Sequence, residues 1–233
     1  MAKVLFEGRK ELDYRVNEAY KSLRTNVQFS GTDVQVIDFT SCTPNEGKSS
    51  VSFNLAVSFA DSGKRVVMID ADMRKSVLAG RYKVGGVEAG LAHYLSGQKT
   101  LDEVCLKTDI EGMDIIFSGP FVPNPAELLE SQNFHDLVQY CREHYDYVLI
   151  DLPPVLPVAD ALVLGTVVDG VVLVIESGEV KVDLARDVKK QLQHAGANIL
   201  GVVLNKVRSE HLGYGYGYYY YYGSKEASNG EGK

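Results

Sequence analysis

Ser41-Cys-Thr-Pro-Asn-Glu-Gly-Lys-Ser-Ser50 is the stretch on which the reading of this chain turns. It follows an apolar, β-branched run, Val34-Gln-Val-Ile-Asp-Phe-Thr40. It opens into Val51-Ser-Phe-Asn-Leu-Ala-Val-Ser-Phe-Ala60, where Val51, Leu55 and Phe59 recur at helical spacing. Strand, tight loop and helix in that order are the setting in which backbone N–H groups wrap a phosphate and a helix N-terminus faces the anion. Thr43, Pro44, Asn45, Glu46, Gly47, Lys48, Ser49 and Ser50 are therefore the candidate nucleotide-binding residues. Lys48 would reach the terminal phosphates and Ser49 would place a hydroxyl on Mg²⁺. The match to G-x-x-x-x-G-K-[ST] is incomplete, because Cys42 stands where the first Gly belongs. The competing reading is an ordinary strand–helix turn with a stray lysine; the flanking strand and helix weigh against it.

Outward from this loop, strands and helices alternate. Arg65-Val-Val-Met-Ile-Asp-Ala-Asp72 and Tyr145-Asp-Tyr-Val-Leu-Ile-Asp151 read as buried parallel strands that end in acids. Further strands are expected over 112–119, 170–176 and 198–206, and helices over 10–30, 126–130, 158–167 and 180–195, with Phe134, Leu137, Val138 and Cys141 on one face of another. Residues 73–86, with Arg74, Lys75, Arg81 and Lys83 among glycines, suggest a mobile basic loop. The strands are continuously apolar rather than alternating, which predicts an α/β, three-layer P-loop NTPase fold with a mainly parallel sheet between helices. Three segments follow: an N-terminal helical segment over 1–30, a P-loop domain over 31–211, and a tail over 212–233 whose Gly/Tyr and then polar composition predicts disorder.

In a parallel sheet the ligand crevice lies at the carboxyl ends of the strands. Asp70, Asp72 and Asp151 would share that edge with the loop, and Ser49 with Asp70 and Asp151 would suffice for Mg²⁺, which takes few carboxylates plus phosphate oxygens and water. Each acid taken singly reads as a strand-end residue capping a turn. Three of them beside a phosphate loop read as a catalytic edge.

Composition removes other classes. The net charge of −7, with Lys and Arg scattered, disfavours nucleic-acid binding. Cys42, Cys105 and Cys141 lack metal or C-x-x-C spacing and read as free thiols in a reducing cytoplasm. No apolar run is long enough to insert into a membrane. Seven of the 14 tyrosines, Tyr214, Tyr216, Tyr218, Tyr219, Tyr220, Tyr221 and Tyr222, crowd the tail.

Over about residues 10–222 the chain resembles the bacterial tyrosine kinases, in particular the cytoplasmic capsular-polysaccharide kinases of Gram-positive bacteria. The resemblance rests on Thr43-Pro-Asn-Glu-Gly-Lys-Ser49, on Val67-Met-Ile-Asp-Ala-Asp-Met-Arg74 as a second Walker motif, on Val148-Leu-Ile-Asp-Leu-Pro-Pro154 as Walker B, on Asn124-Pro-Ala-Glu-Leu-Leu129, and on the tyrosine cluster. Positioning and partitioning ATPases of the same fold carry a Lys where this loop has Thr43, which points away from them. Asn45 replaces a glycine usual in the kinases. Their Glu-x-x-Arg-x-x-Arg assembly motif stands here as Glu18, Lys21 and Arg24, and Lys21 keeps the charge without the bidentate fork.

The resemblance implies an autokinase using ATP and Mg²⁺, with Lys48, Asp70, Asp72 and Asp151 catalytic. Asp72 is taken as the base and Asp70 as part of the metal shell, although the two roles could be exchanged, because spacing alone does not separate them. It implies that the tail tyrosines are the acceptors and that Asn205 contacts adenine. Residues 212–222 span up to about 35 Å when extended, enough to reach a neighbouring subunit of a ring. Partners implied are the cytoplasmic tail of a transmembrane chain-length regulator, which would recruit the cytoplasmic chain to the inner face of the membrane, and a cognate phosphotyrosine phosphatase. The alternatives are a P-loop ATPase that transfers no phosphate to protein, and a scaffold that binds nucleotide for stability.

Overall fold

The computed structural model describes residues 3–156 and 167–207. The tail tyrosines, and all but the last residue of the helix expected over 158–167, lie outside the described residues. In chain order the elements are α1 (Tyr14–Gln28), β1 (Val36–Ser41), α2 (Lys48–Asp61), β2 (Val66–Asp70), α3 (Leu78–Arg81), α4 (Leu91–Leu95), α5 (Leu101–Val104), β3 (Cys105–Lys107), β4 (Met113–Ile116), α6 (Pro125–Leu129), α7 (Gln132–His144), β5 (Tyr147–Asp151), β6 (Gly170–Glu176), α8 (Val182–His194) and β7 (Ile199–Asn205). One seven-stranded sheet runs β3-β4-β2-β5-β1-β6-β7. Every pairing is parallel except β3 with β4. β3 was not expected, because three residues carry no readable periodicity. Its antiparallel turn closes the edge of an otherwise parallel sheet.

Continuous apolar strands need cover on both faces, and both are covered. On one face Val36, Val67, Ile69, Val148 and Ile150 meet Leu129, Leu137, Cys141 and Leu192 from the helices. On the other, Ile37, Phe39, Met68 and Leu149 meet Phe53, Leu55 and Phe59 of α2. α2 is buried on nearly all sides because α1 covers its back. Near the N-terminus Phe6 joins this core edge-on to Phe53, at 4.9 Å between ring centroids, and Tyr82 stacks on Phe53 at 4.0 Å. The segment 73–86, expected as a mobile loop, is anchored here: it contains α3, with Leu78 and Tyr82 buried.

At the opposite end of the sheet from the phosphate loop, Asp169 ties three elements together. It receives a bidentate pair from Arg142 at 2.8 and 2.7 Å and the N–H groups of Gln35 and Val36 at 2.8 and 2.7 Å. Burial alone would raise this carboxyl, but the Arg142 guanidinium and the two N–H donors hold it below the ordinary carboxylate value.

Asp38 is the reverse case. It sits fully buried in the middle of β1, and neither carboxylate oxygen has a hydrogen-bond partner. Burial pushes its pKa well above the ordinary range. The folded state therefore keeps a proton that the unfolded state releases, and stability falls as pH rises from the unfolded value through the folded one. Asp38→Val is expected to stabilise the chain by about 1–3 kcal/mol near pH 8, the cost of an unpaired buried polar group. Urea midpoints at pH 5 and pH 8 check this. The gain should be larger at pH 8, and a gain independent of pH would show the carboxyl to be solvated.

Candidate active site

The order β2-β5-β1 sets the geometry of the site. Parallel neighbours lie about 4.8 Å apart, so the carboxyl ends of these three strands fall within about 10 Å of one another. Asp70 and Asp151 stand opposite each other in register as the last residues of β2 and β5. The loop 42–47 leaves the end of β1 beside them. Asp72 lies two residues beyond the end of β2, not in the strand as its spacing suggested, yet it is buried like the others.

Lys48 is the hub. Its Nζ lies 3.0 Å from Asp72 Oδ2, 3.4 Å from Asp151 Oδ1 and 3.4 Å from Ser49 Oγ. Burial works against its charge, but Asp151 and then Asp72 outweigh that and raise its pKa above the ordinary lysine value. Asp70 does not touch Lys48. It accepts from the Ser76 hydroxyl and, at 3.3 Å, from the N–H of Asp72. Burial and the neighbouring Asp151 charge bring its pKa up to about 7, against the Ser76 bond and Lys48. Asp151 is also raised, by burial first, with Lys48 and a Ser49 hydrogen bond opposing. Asp72 uses its other oxygen to accept from Lys75 N–H at 3.0 Å, which folds the start of the 73–86 segment over the site. From that segment Arg81 donates to Ser50 Oγ.

The loop adopts the conformation its unusual residues must accommodate. Asn45, where the resemblance leads one to expect glycine, has φ of 72°. Asn is among the few non-glycine residues that tolerate the left-handed region. Gly47 has φ of 90°, and a Cβ there would meet Asn205 Nδ2 at 2.2 Å. Cys42, in place of the first glycine, is fully buried rather than lining the loop. Burial first, and the Glu46 charge second, push its thiol up to about 11. Among the described residues the N–H groups of Asn45, Glu46, Gly47, Lys48 and Ser49 donate no hydrogen bond. A run of unpaired N–H groups at the N-terminus of a 14-residue helix fits a phosphate. Ser49, Asp70 and Asp151 form a hard, all-oxygen donor set, which suits Mg²⁺. No group of three or more His, Cys, Asp and Glu among the described residues could hold a metal, and a cation completed by phosphate oxygens does not require one.

Other candidate residues do different work. Thr43 turns inward: its N–H and its hydroxyl, the latter at 2.9 Å, both donate to the buried Glu46 carboxylate. Pro44 lines an open cleft on the β6 side of the loop with Thr43, Glu46, Glu176, Glu179, Val180 and Leu184, and Asp70, Asp72 and Asp151 are not part of that lining. Asn205 donates to the Glu46 carbonyl at 2.9 Å. On α1, Lys21 pairs with Glu18 at 2.7 Å, while Arg24 turns the other way and donates to the carbonyl and hydroxyl of Ser58 on α2. Glu176 and Lys206, which touch the loop from the ends of β6 and β7, had no signal in the sequence.

Comparison with known proteins agrees with this arrangement. The AAA domain family matches residues 34–198. The chain is 37% identical over 193 residues to the tyrosine-protein kinase CpsD of Streptococcus agalactiae, covering 83% of this chain and 84% of that protein. It is 40% identical over 202 residues to the tyrosine-protein kinase CpsD of Streptococcus pneumoniae serotype 4, covering 86% and 89%. The solved kinase domain of the Escherichia coli tyrosine kinase ETK superposes with a TM-score of 0.77 at 34% identity, covering 83% of this chain and 78% of that one. A phosphate loop, a buried lysine held by strand-end acids and relatives of this likeness lead to one assignment: the chain is an AAA-domain protein and belongs to the bacterial tyrosine kinases.

Proposed function

We propose that this chain is an ATP-dependent protein-tyrosine kinase that phosphorylates the tail tyrosines of a neighbouring copy and thereby regulates capsular or exopolysaccharide synthesis and export. The observation that carries the reading is the buried Lys48, 3.0 Å from Asp72 and 3.4 Å from Asp151 at the head of α2. Phosphoryl transfer needs positioning and charge neutralisation more than covalent chemistry. The N–H groups of residues 45–49 hold the phosphates. Lys48 exchanges its carboxylate partners for the phosphate oxygens. Ser49, Asp70 and Asp151 are the residues that would hold Mg²⁺, which when bound neutralises charge on the β- and γ-phosphates.

The acceptor phenol has an ordinary pKa of about 10, so its proton must leave as the new P–O bond forms. Asp72 takes that proton while the bond to the bridging oxygen breaks and ADP departs. The division between the two acids follows depth. Asp70 is fully buried in register with Asp151, whereas Asp72 is the shallower group at 5% exposure. Each tail phosphate adds about −1.5 to −2 charges, and that repulsion would open a ring of copies assembled through Glu18, Lys21 and Arg24. The cytoplasmic tail of a transmembrane chain-length regulator recruits the chain to the inner face of the membrane and completes the nucleotide site, and a phosphotyrosine phosphatase resets the tail.

One assay tests the reading. The purified chain is mixed with ATP, Mg²⁺ and the regulator's cytoplasmic peptide, and phosphotyrosine and free phosphate are followed together. Phosphotyrosine confined to the tail is the expected result. Phosphate release alone would make the protein an ATPase, and neither product would make it a nucleotide-binding scaffold.

A further inference from the structure

The ends of β6 and β7 grip the phosphate loop from behind. Lys206 Nζ donates to the Asn45 carbonyl at 2.8 Å and pairs with Glu176 at 2.7 Å. The buried Glu46 carboxylate accepts from the Glu176 N–H at 3.0 Å, and Ser177 N–H donates to the Asn205 carbonyl at 2.9 Å. The two contacts that reach the loop itself, Glu176 to Glu46 and Lys206 to Asn45, span 130 and 161 residues of the chain.

A trans peptide points its C=O and the next residue's N–H in opposite directions, and among the described residues there is no cis peptide. Lys206 draws the Asn45 carbonyl outward and so turns the Glu46 N–H the other way, into the run of unpaired donors. Asn205 does the same for the next unit, holding the Glu46 carbonyl and turning the Gly47 N–H inward. Lys206 itself has φ of 56°, a strained conformation for a residue with a side chain, placed where it serves the loop.

We infer that Lys206, braced by Glu176, is a positioning residue that presets the phosphate loop for nucleotide. It acts through the Asn45 carbonyl and touches no reacting atom. The inference rests on the reading of residues 42–50 as a phosphate cradle. Because Lys206 directly precedes the segment that leads to the tyrosines, the same residue ties the root of the tail to the nucleotide site.

Calorimetric titration of the full chain with Mg²⁺–ADP, and separately with adenosine, tests it. Lys206→Met is expected to bind ADP about 10-fold more weakly, the equivalent of about 1.4 kcal/mol. Adenosine affinity and the thermal midpoint without nucleotide should be unchanged, since an exposed ion pair adds little stability. Glu176→Gln should weaken ADP binding in the same direction by a smaller factor, and Lys206→Arg should restore it to within about threefold, because the donor is kept. ADP affinity within twofold of the original in Lys206→Met, or an equal loss for adenosine, would overturn the assignment. If the unaltered chain binds no ADP, the phosphate-cradle reading itself is what falls.

Discussion

Asp72→Asn is expected to lower tail phosphorylation by a factor of about 10²–10⁴, the usual contribution of a positioned general base, while Mg²⁺–ADP affinity changes by less than about threefold. Asn keeps the shape of the residue and the oxygen that accepts from Lys75 N–H, so the fold of the 73–86 segment is maintained. What it removes is the capacity to take a proton from the phenol. Lys48 keeps Asp151 as a partner at 3.4 Å, so the lysine is not left uncompensated. Quenched-flow phosphotyrosine formation and nucleotide calorimetry on the same preparation separate the two effects. A parallel collapse of nucleotide binding would move Asp72 into the metal shell and leave Asp70 as the base.

Lys48→Met should produce the second large effect, and it should act on both chemistry and stability. Removing one preorganised positive donor from a phosphoryl-transfer site typically costs about 10²–10³ in rate, and in the proposed mechanism the same residue also anchors the nucleotide. Lys48 is the counter-charge for Asp72 and Asp151, with both carboxylates nearly fully buried. Breaking a buried pair by removing one partner costs about 3–5 kcal/mol. The pH dependence has a definite sign. Without Lys48 the Asp151 carboxyl, already raised by burial, rises further, so the folded state holds protons that the unfolded state releases. The stability deficit of the variant must then be greatest at high pH and shrink as the pH falls toward the unfolded carboxylate value. Thermal midpoints from pH 5 to pH 8 check it; a deficit that grows on acidification would show that Lys48 is not paired with these acids.

How much of this was legible in the chain depended on what kind of order each feature has. The sheet, its parallel character and the acids at its edge were readable, because a continuous apolar run ending in Asp is a local pattern and topology carries its end to the crevice. β6 runs over 170–176 as its sequence suggested. The phosphate loop was readable for the same reason, although two of its positions departed from the expected pattern. Asn45 turned out to adopt the left-handed backbone that favours glycine.

Features that depend on distant pairing were invisible. Nothing near Lys206 announces that it will meet Asn45, and nothing near Arg24 announces that it will fold back on Ser58 instead of facing outward with Lys21. Asp38 was absorbed into an apolar run, since periodicity records where a side chain points and not whether it finds a partner. Asp72 was read as the last residue of a strand that in fact ends at Asp70. Proximity across the sheet set Asp72's position, because Lys48 and the Lys75 N–H hold it where it is.

The burial of Cys42 has a consequence for labelling kinetics. A thiol that is fully buried directly under the phosphate loop, with a pKa near 11, offers almost no thiolate to a reagent in the folded state. Its rate of alkylation is therefore set by how often the loop lifts away from β1. Cys141, buried in α7 with its thiol pushed to about 12, belongs to the same apolar layer as Cys42 but reports the helix that covers it. The chain thus carries two internal clocks, one for opening of the nucleotide loop and one for opening of the helical layer. Nucleotide that fills the cradle would slow the first and leave the second running.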